Sequence, residues 1–176
     1  VDLRGHLLPI SGTMMDWVHV WLAQGIGCEE MWLYLKRIRE VHRIRFGDLA
    51  MYFDQWNWPA GVVVRPKTIF GKKREEASIE ADSFKAGASE LLSIYRVLRC
   101  FHDEVVAPLG DGVDLQGESL SALCYVLDAL QCVSRNLVTP ASLKARIDAH
   151  LSAHARAYGV SGVKPKHHWA THFPDF

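Results

Sequence analysis

The stretch that decides the fold is residues 118–159, ESLSALCYVLDALQCVSRNLVTPASLKARIDAHLSAHARAYG. Leu120, Leu123, Leu127, Leu130 and Val133 recur every three or four positions, the spacing that stacks side chains on one side of an α-helix. The sequence predicts a helix over 118–138. Thr139 and Pro140 then mark a fresh start. Threonine caps a first turn, and proline's fixed φ and missing N–H suit the first helical position. Leu143, Ile147, Leu151, Ala155 and Tyr158 space out one face of that helix down to Gly159, a fitting C-terminal glycine.

The same period runs outward. Glu29 to His42 reads as a helix with Met31, Leu35, Ile38 and Val41 as its stripe, and Phe46 to Trp56 as another. Trp17, Val20, Trp21 and Gln24 start a helix that Gly25 and Gly27 interrupt. A long helix is expected from Asp82 to Val106, with Asp82 or Ser83 as N-cap, Leu91, Tyr95 and Leu98 on its buried face, and Pro108 and Gly110 at its end. Residues 72–80 are charged and expected to be exposed. Leu3 to Met15 reads as loop with one short strand, and Val62 to Val64 as a short strand or extended chain. The expectation is a mainly α, multi-helix bundle of six or seven helices with at most two short strands.

Composition bounds the rest. The chain has 176 residues, 49% of them hydrophobic, with six Trp, seven Phe and five Tyr, too many for a disordered segment. It starts at Val1, and we expect it to be an internal part of a longer chain. Its apolar runs fall short of the ~18 residues of a membrane span, so no membrane partner is expected. Twenty Lys and Arg balance twenty Asp and Glu, which excludes a uniformly basic DNA coat but not a local phosphate-facing patch. The charge is uneven: ten of the basic residues lie between Lys36 and Arg74. The cysteines, Cys28, Cys100, Cys124 and Cys132, form no CxxC and read as reduced thiols among apolar neighbours. There is no Gly-rich phosphate loop, GxSxG elbow, HExxH or Cys triad.

Four constellations carry chemistry. Asp16 and His19 lie three apart on a helix, where a carboxylate and an imidazole can hold a divalent ion; the plainer reading of Asp16 is an N-cap. Glu90, after Lys85, is a surface charge or points into a groove. Lys164-Pro165-Lys166-His167-His168-Trp169-Ala170-Thr171-His172 is dense in special residues. His168 and His172 are spaced to share a metal if helical, while Lys164, Lys166 and His167 suit a backbone phosphate. Lys36, Arg37, Arg39, Arg43 and Arg45 form a basic stripe, either a solvated face or a DNA-backbone contact.

In this order the pieces resemble the C-terminal half of DDE/D-type transposases of the CACTA (En/Spm-like) kind. An Asp-x-x-His opens a helix (Asp16, His19). A helical stretch and a Phe-Lys-Ala…Ser-Glu helix follow (Phe84 to Glu90), and Lys-Pro-Lys-His-His…His-Phe-Pro closes the chain (Lys164 to Pro174). Anchored on Ser89-Glu90, the last catalytic acid is Glu90; anchored on Lys85, Ala88 falls there instead.

The resemblance implies an RNase H-like catalytic core split by a helical insertion. Residues 1–28 would end the core, 29–81 would be the basic insertion, and 82–176 the helical C-terminal part. It implies a nuclear protein that cuts and rejoins DNA through Mg²⁺ or Mn²⁺, with Asp16 and Glu90 as catalytic metal ligands and His19 beside them. The first catalytic Asp would lie before Val1, so this chain alone is expected to be inactive. DNA is the expected partner, with self-association in a transposition complex and no small-molecule substrate. The alternative is a non-catalytic helical interaction or DNA-binding module of a decayed or domesticated element.

Overall fold

The computed structural model describes residues 16–58, 66–110, 112–133 and 135–173, and no strand occurs among them. The expected strands in 3–15 and 62–64 lie outside the described residues. Nine α-helices are described: α1 (Trp17–Trp21), α2 (Ile26–His42), α3 (Phe46–Asp54), α4 (Pro66–Ile69), α5 (Lys72–Glu80), α6 (Ala88–Phe101), α7 (Asp114–Val133), α8 (Pro140–Tyr158) and α9 (Pro165–Ala170).

The α7/α8 pair is the spine. A short connection forces the two helices antiparallel, and they pack along each other's length. Thr139 caps α8 as its sequence predicts, its Oγ1 accepting from the Ser142 amide at 3.2 Å, and Gly159 closes it with φ 79°. Helices α2 and α6 pack against α7, and α1 and α9 pack against each other. One apolar cluster runs through all of this, from Trp21 and Ile26 through Met31, Leu98 and Leu127 to Ala170. Helix α2 passes straight through the boundary expected at 28/29. Alongside it, Phe46, Phe53, Phe70 and Phe84 form an aromatic knot with ring centroids 4.9–6.1 Å apart, joining α3 to the segments after α4 and α5.

The helix expected from Asp82 is shorter than its pattern suggests. Asp82 has φ +44°, which a helix start does not tolerate, and its carboxylate is taken from the other side by Trp32 Nε1 (2.9 Å) and Lys36 Nζ (2.8 Å). The helix begins at Ala88, with Glu90 accepting from the Gly87 amide at 2.7 Å. It then widens into a π turn at His102–Val106 and a 3₁₀ turn at Ala107–Leu109 before Gly110. The charged 72–80 segment is helix α5, and it is not wholly exposed: Glu75 and Ser78 are buried. Residues 165–170, in the stretch dense in special residues, form α9 with Pro165 at its first position. All four cysteines are free, Cys28 and Cys124 buried, Cys100 and Cys132 half-buried. No helix among the described residues is long and apolar enough to cross a membrane.

The π turn places His102 in the core, its Nδ1 3.1 Å from the Tyr34 hydroxyl and its ring against Gly117, where a Cβ would sit 2.0 Å from Nε2. Burial pushes this imidazole below its ordinary value of 6.5. The unfolded chain therefore binds a proton there before the folded one does, and the stabilising effect of neutral His102 is lost as pH falls below about 6.5. The stability difference between wild type and His102→Asn, measured by urea unfolding, is expected to shrink from pH 7.5 to pH 5.5. A constant difference would contradict this.

Candidate functional site

The most concentrated chemistry lies inside the bundle. On α8, the residues at 143, 147, 150 and 154 share one face, and that face is turned to the core: Leu143, Ile147, His150 and His154 are all buried. Opposite them α2 contributes Glu30 and α7 contributes Ser119, both fully buried. Glu30 Oε2 accepts from two imidazoles, His150 Nε2 at 2.5 Å and His154 Nδ1 at 3.1 Å, while Ser119 Oγ donates to Oε1 at 2.6 Å.

A carboxylate with no solvent exposure needs such partners, because losing water penalises its charged form. Burial works against the Glu30 charge. The two imidazoles outweigh it and hold the carboxyl far below its ordinary range. Three further rings surround the group. Trp21 lies 5.5 Å from the His150 ring, and Tyr158 and His167 lie 4.9 and 4.7 Å from the His154 ring. His167 Nδ1 accepts from the Lys164 amide at 3.0 Å, so its Nε2 carries the proton. Burial, and then the neighbouring imidazoles, push this ring down to about 4, so it stays neutral. Several buried polar atoms here have no hydrogen-bond partner among the described residues: His150 Nδ1, His154 Nε2, His167 Nε2 and the Tyr158 hydroxyl.

The residues singled out by sequence fall elsewhere. Asp16 is an N-cap: Oδ1 accepts from the Val18 amide at 2.8 Å, and Oδ2 pairs with His19 Nδ1 at 2.6 Å. These bonds, that of His19 first, hold its pKa below the ordinary carboxylate value. Both side chains stay open to solvent, His19 73% and Asp16 48% exposed. Glu90 Oε2 is held by Arg74 Nη1 at 2.7 Å and by the Gly87 amide. No hydrogen bond joins Asp16 to Glu90.

The two do not make a ready Mg²⁺ site. One is bound to its own helix start and an imidazole, and the other is neutralised by a guanidinium. Among the described residues, the group whose donor atoms could converge on an ion is Glu30, His150 and His154, within 4.8 Å of one another.

The basic residues divide. Lys36 pairs with Asp82, Arg45 with Glu75, and Lys164 with Glu29. Arg37 Nε donates to the Gly112 carbonyl at 3.0 Å. Lys166 Nζ donates to the carbonyls of His19 (3.1 Å), Ala23 (3.4 Å) and Gln24 (2.9 Å), and His167 is buried. The side chains of Arg39 and Arg43 make no hydrogen bond or ion pair among the described residues. They border a cleft of ≈ 420 Å³ between α2, α3 and α5, with Trp32, Ile44 and Phe46. His168 and His172 meet on the surface, Nε2 to Nε2 at 3.3 Å, as their spacing anticipates.

Sequence reading missed Glu30, His150 and His154. The signal available was the pair of histidines four apart, within the stripe continued by Leu143 and Ile147. The chain has no match among protein-family models, curated proteins or solved structures.

Proposed function

We propose that this chain is a DNA-facing helical part of a transposase-like protein, and that it does not cut DNA on its own. The observation that carries the reading is the position of Lys166. From the closing Lys-Pro-Lys-His-His segment it reaches back 147 positions to the Asp-x-x-His helix, donating to the His19 carbonyl within that helix and to the Ala23 and Gln24 carbonyls just past its end. The first and last motifs of the resemblance thereby share one surface, with Asp16 and His19 at its edge. In the parent protein that edge would stand beside carboxylates supplied from outside this chain.

The DNA contact of this reading is electrostatic and uses the basic side chains that have no partner among the described residues, Arg39 and Arg43 first. Neutralising phosphates releases counterions, so binding must weaken with salt. The affinity of the chain for a labelled 30-base-pair duplex is expected to fall at least about tenfold between 50 and 200 mM salt. The double variant Arg39→Glu/Arg43→Glu should bind at least about tenfold more weakly at 50 mM salt, with a shallower salt slope. Absence of binding at 50 mM, or binding indifferent to both salt and variant, would remove the reading.

A companion result concerns catalysis. Two-metal strand cleavage needs its full set of carboxylates, so supercoiled plasmid incubated with the chain and Mg²⁺ should remain unnicked. Nicking that disappears in Asp16→Ala would show that the chain holds a complete site.

A further inference from the structure

We infer that Glu30, His150 and His154 form a buried binding site for one transition-metal ion of the Zn²⁺ class. The site is independent of the DNA-facing surface proposed above.

Four observations converge. The donor set is two imidazoles and one carboxylate, the combination that suits Zn²⁺ and its first-row neighbours rather than Mg²⁺ or Ca²⁺, which prefer oxygen alone. The donor spacing suits one ion: the three atoms lie within 4.8 Å of one another, so adjustments of about an ångström bring them to the ~2.0–2.2 Å bonds of a zinc site. The scaffold is rigid. His150 and His154 project from adjacent turns of a 19-residue helix, and Glu30 projects from the second turn of the 17-residue α2.

Finally, the surroundings are those of a ligated centre. Ser119 Oγ fixes the carboxylate from behind at 2.6 Å, the kind of outer contact that orients a metal ligand. The His167 Nε2–H and the Tyr158 hydroxyl, on rings beside His154, are buried donors without an acceptor among the described residues. Water or hydroxide on the fourth position of the ion is an acceptor of the kind they lack. An orphan buried donor costs about 1–3 kcal/mol, and two on rings packed against one imidazole are not expected in a site complete without a ligand. A shared proton between Glu30 and His150 satisfies that pair alone and leaves these donors as they are.

Co²⁺ reports the site by its colour. The purified, chelator-treated chain titrated with Co²⁺ should bind one equivalent with the intense visible bands of a four-coordinate N/O site. Excess Zn²⁺ should bleach them. His150→Gln/His154→Gln should lose the signal, with affinity reduced at least about a hundredfold. His168→Gln/His172→Gln, which removes the exposed pair, should keep it.

Should the core variant fail to fold, wild type still decides. Zn²⁺ at 100 times its dissociation constant must raise the melting temperature of the chelator-treated chain, because an ion that binds only the folded state stabilises it. Absence of stoichiometric binding and of thermal stabilisation would overturn the inference, leaving a proton-shared carboxylate. Loss of the signal in His168→Gln/His172→Gln would also overturn it, by moving the ion to the surface.

Discussion

Glu30→Ala is expected to lower the stability of the protein by about 3–5 kcal/mol, enough to leave it partly unfolded at 37 °C. The loss has two parts. Removing the carboxylate takes away the acceptor of His150 and His154 and of the Ser119 hydroxyl at once. It also leaves two imidazoles in a pocket without solvent, where each unpaired polar atom keeps its desolvation cost. Ser119→Ala removes one hydroxyl donor and nothing else, and should cost about 1.5–3 kcal/mol, the worth of a hydrogen bond to a charged group. Urea unfolding of both variants measures the ratio. A Glu30→Ala protein within 1 kcal/mol of wild type would mean that the three helices are not joined through this group.

Gly25→Ala is the second large effect, and its cause is steric. Gly25 caps α2 at the sharp return from α1, and a Cβ there would lie 2.2 Å from the Val20 carbonyl oxygen and 2.6 Å from the Trp21 carbonyl carbon. Those atoms are backbone and cannot swing aside. The clash must be relieved by moving α1, which carries the fully buried Trp21, away from the core. A loss of about 3 kcal/mol or more is expected, or roughly 10 °C in melting temperature for a chain of this size. Gly47→Ala is the control. Its Cβ would meet nothing within 4 Å on α3, so helix propensity makes it neutral or stabilising by up to about 1 kcal/mol. Equal melting temperatures for the two variants would contradict the close approach at Gly25.

The bundle was legible because its long helices obey the simplest rule. Met31, Leu35 and Ile38 are buried as their spacing requires, and Thr139-Pro140 starts α8 where it should. Boundaries failed where a side chain served another element. Asp82 has the type of an N-cap but holds Trp32 and Lys36 of α2, an interaction 46–50 positions away that no local pattern carries. Glu90, expected as a metal ligand from the resemblance, also caps the start of its own helix and accepts from Arg74, contacts that no spacing pattern shows.

The buried cluster escaped for a related reason. Leu151 and Ala155, placed on the α8 stripe by sequence, are only half-buried, whereas His150 and His154 lie at the centre of the buried face. Histidine ranks as polar in a periodicity count, so the stripe was drawn one position off. The partner across the interface, Glu30, is 120 residues away from His150 and reads as one acid among others in Cys28-Glu29-Glu30-Met31. Only the packing of α2 and α7 on α8 makes the three a unit.

The inferred metal site lies in the core, at Glu30, His150 and His154, away from the exposed Asp16 at the start of α1 and the half-buried Glu90 of α6. A crystal grown with Zn²⁺ and measured on both sides of the zinc absorption edge locates the ion directly. The account predicts one strong anomalous peak about 2.0–2.2 Å from nitrogens of His150 and His154 and from the Glu30 carboxylate. A peak between Asp16 and Glu90, a peak confined to His168 and His172, or an empty core in crystals soaked at saturating Zn²⁺ would contradict it.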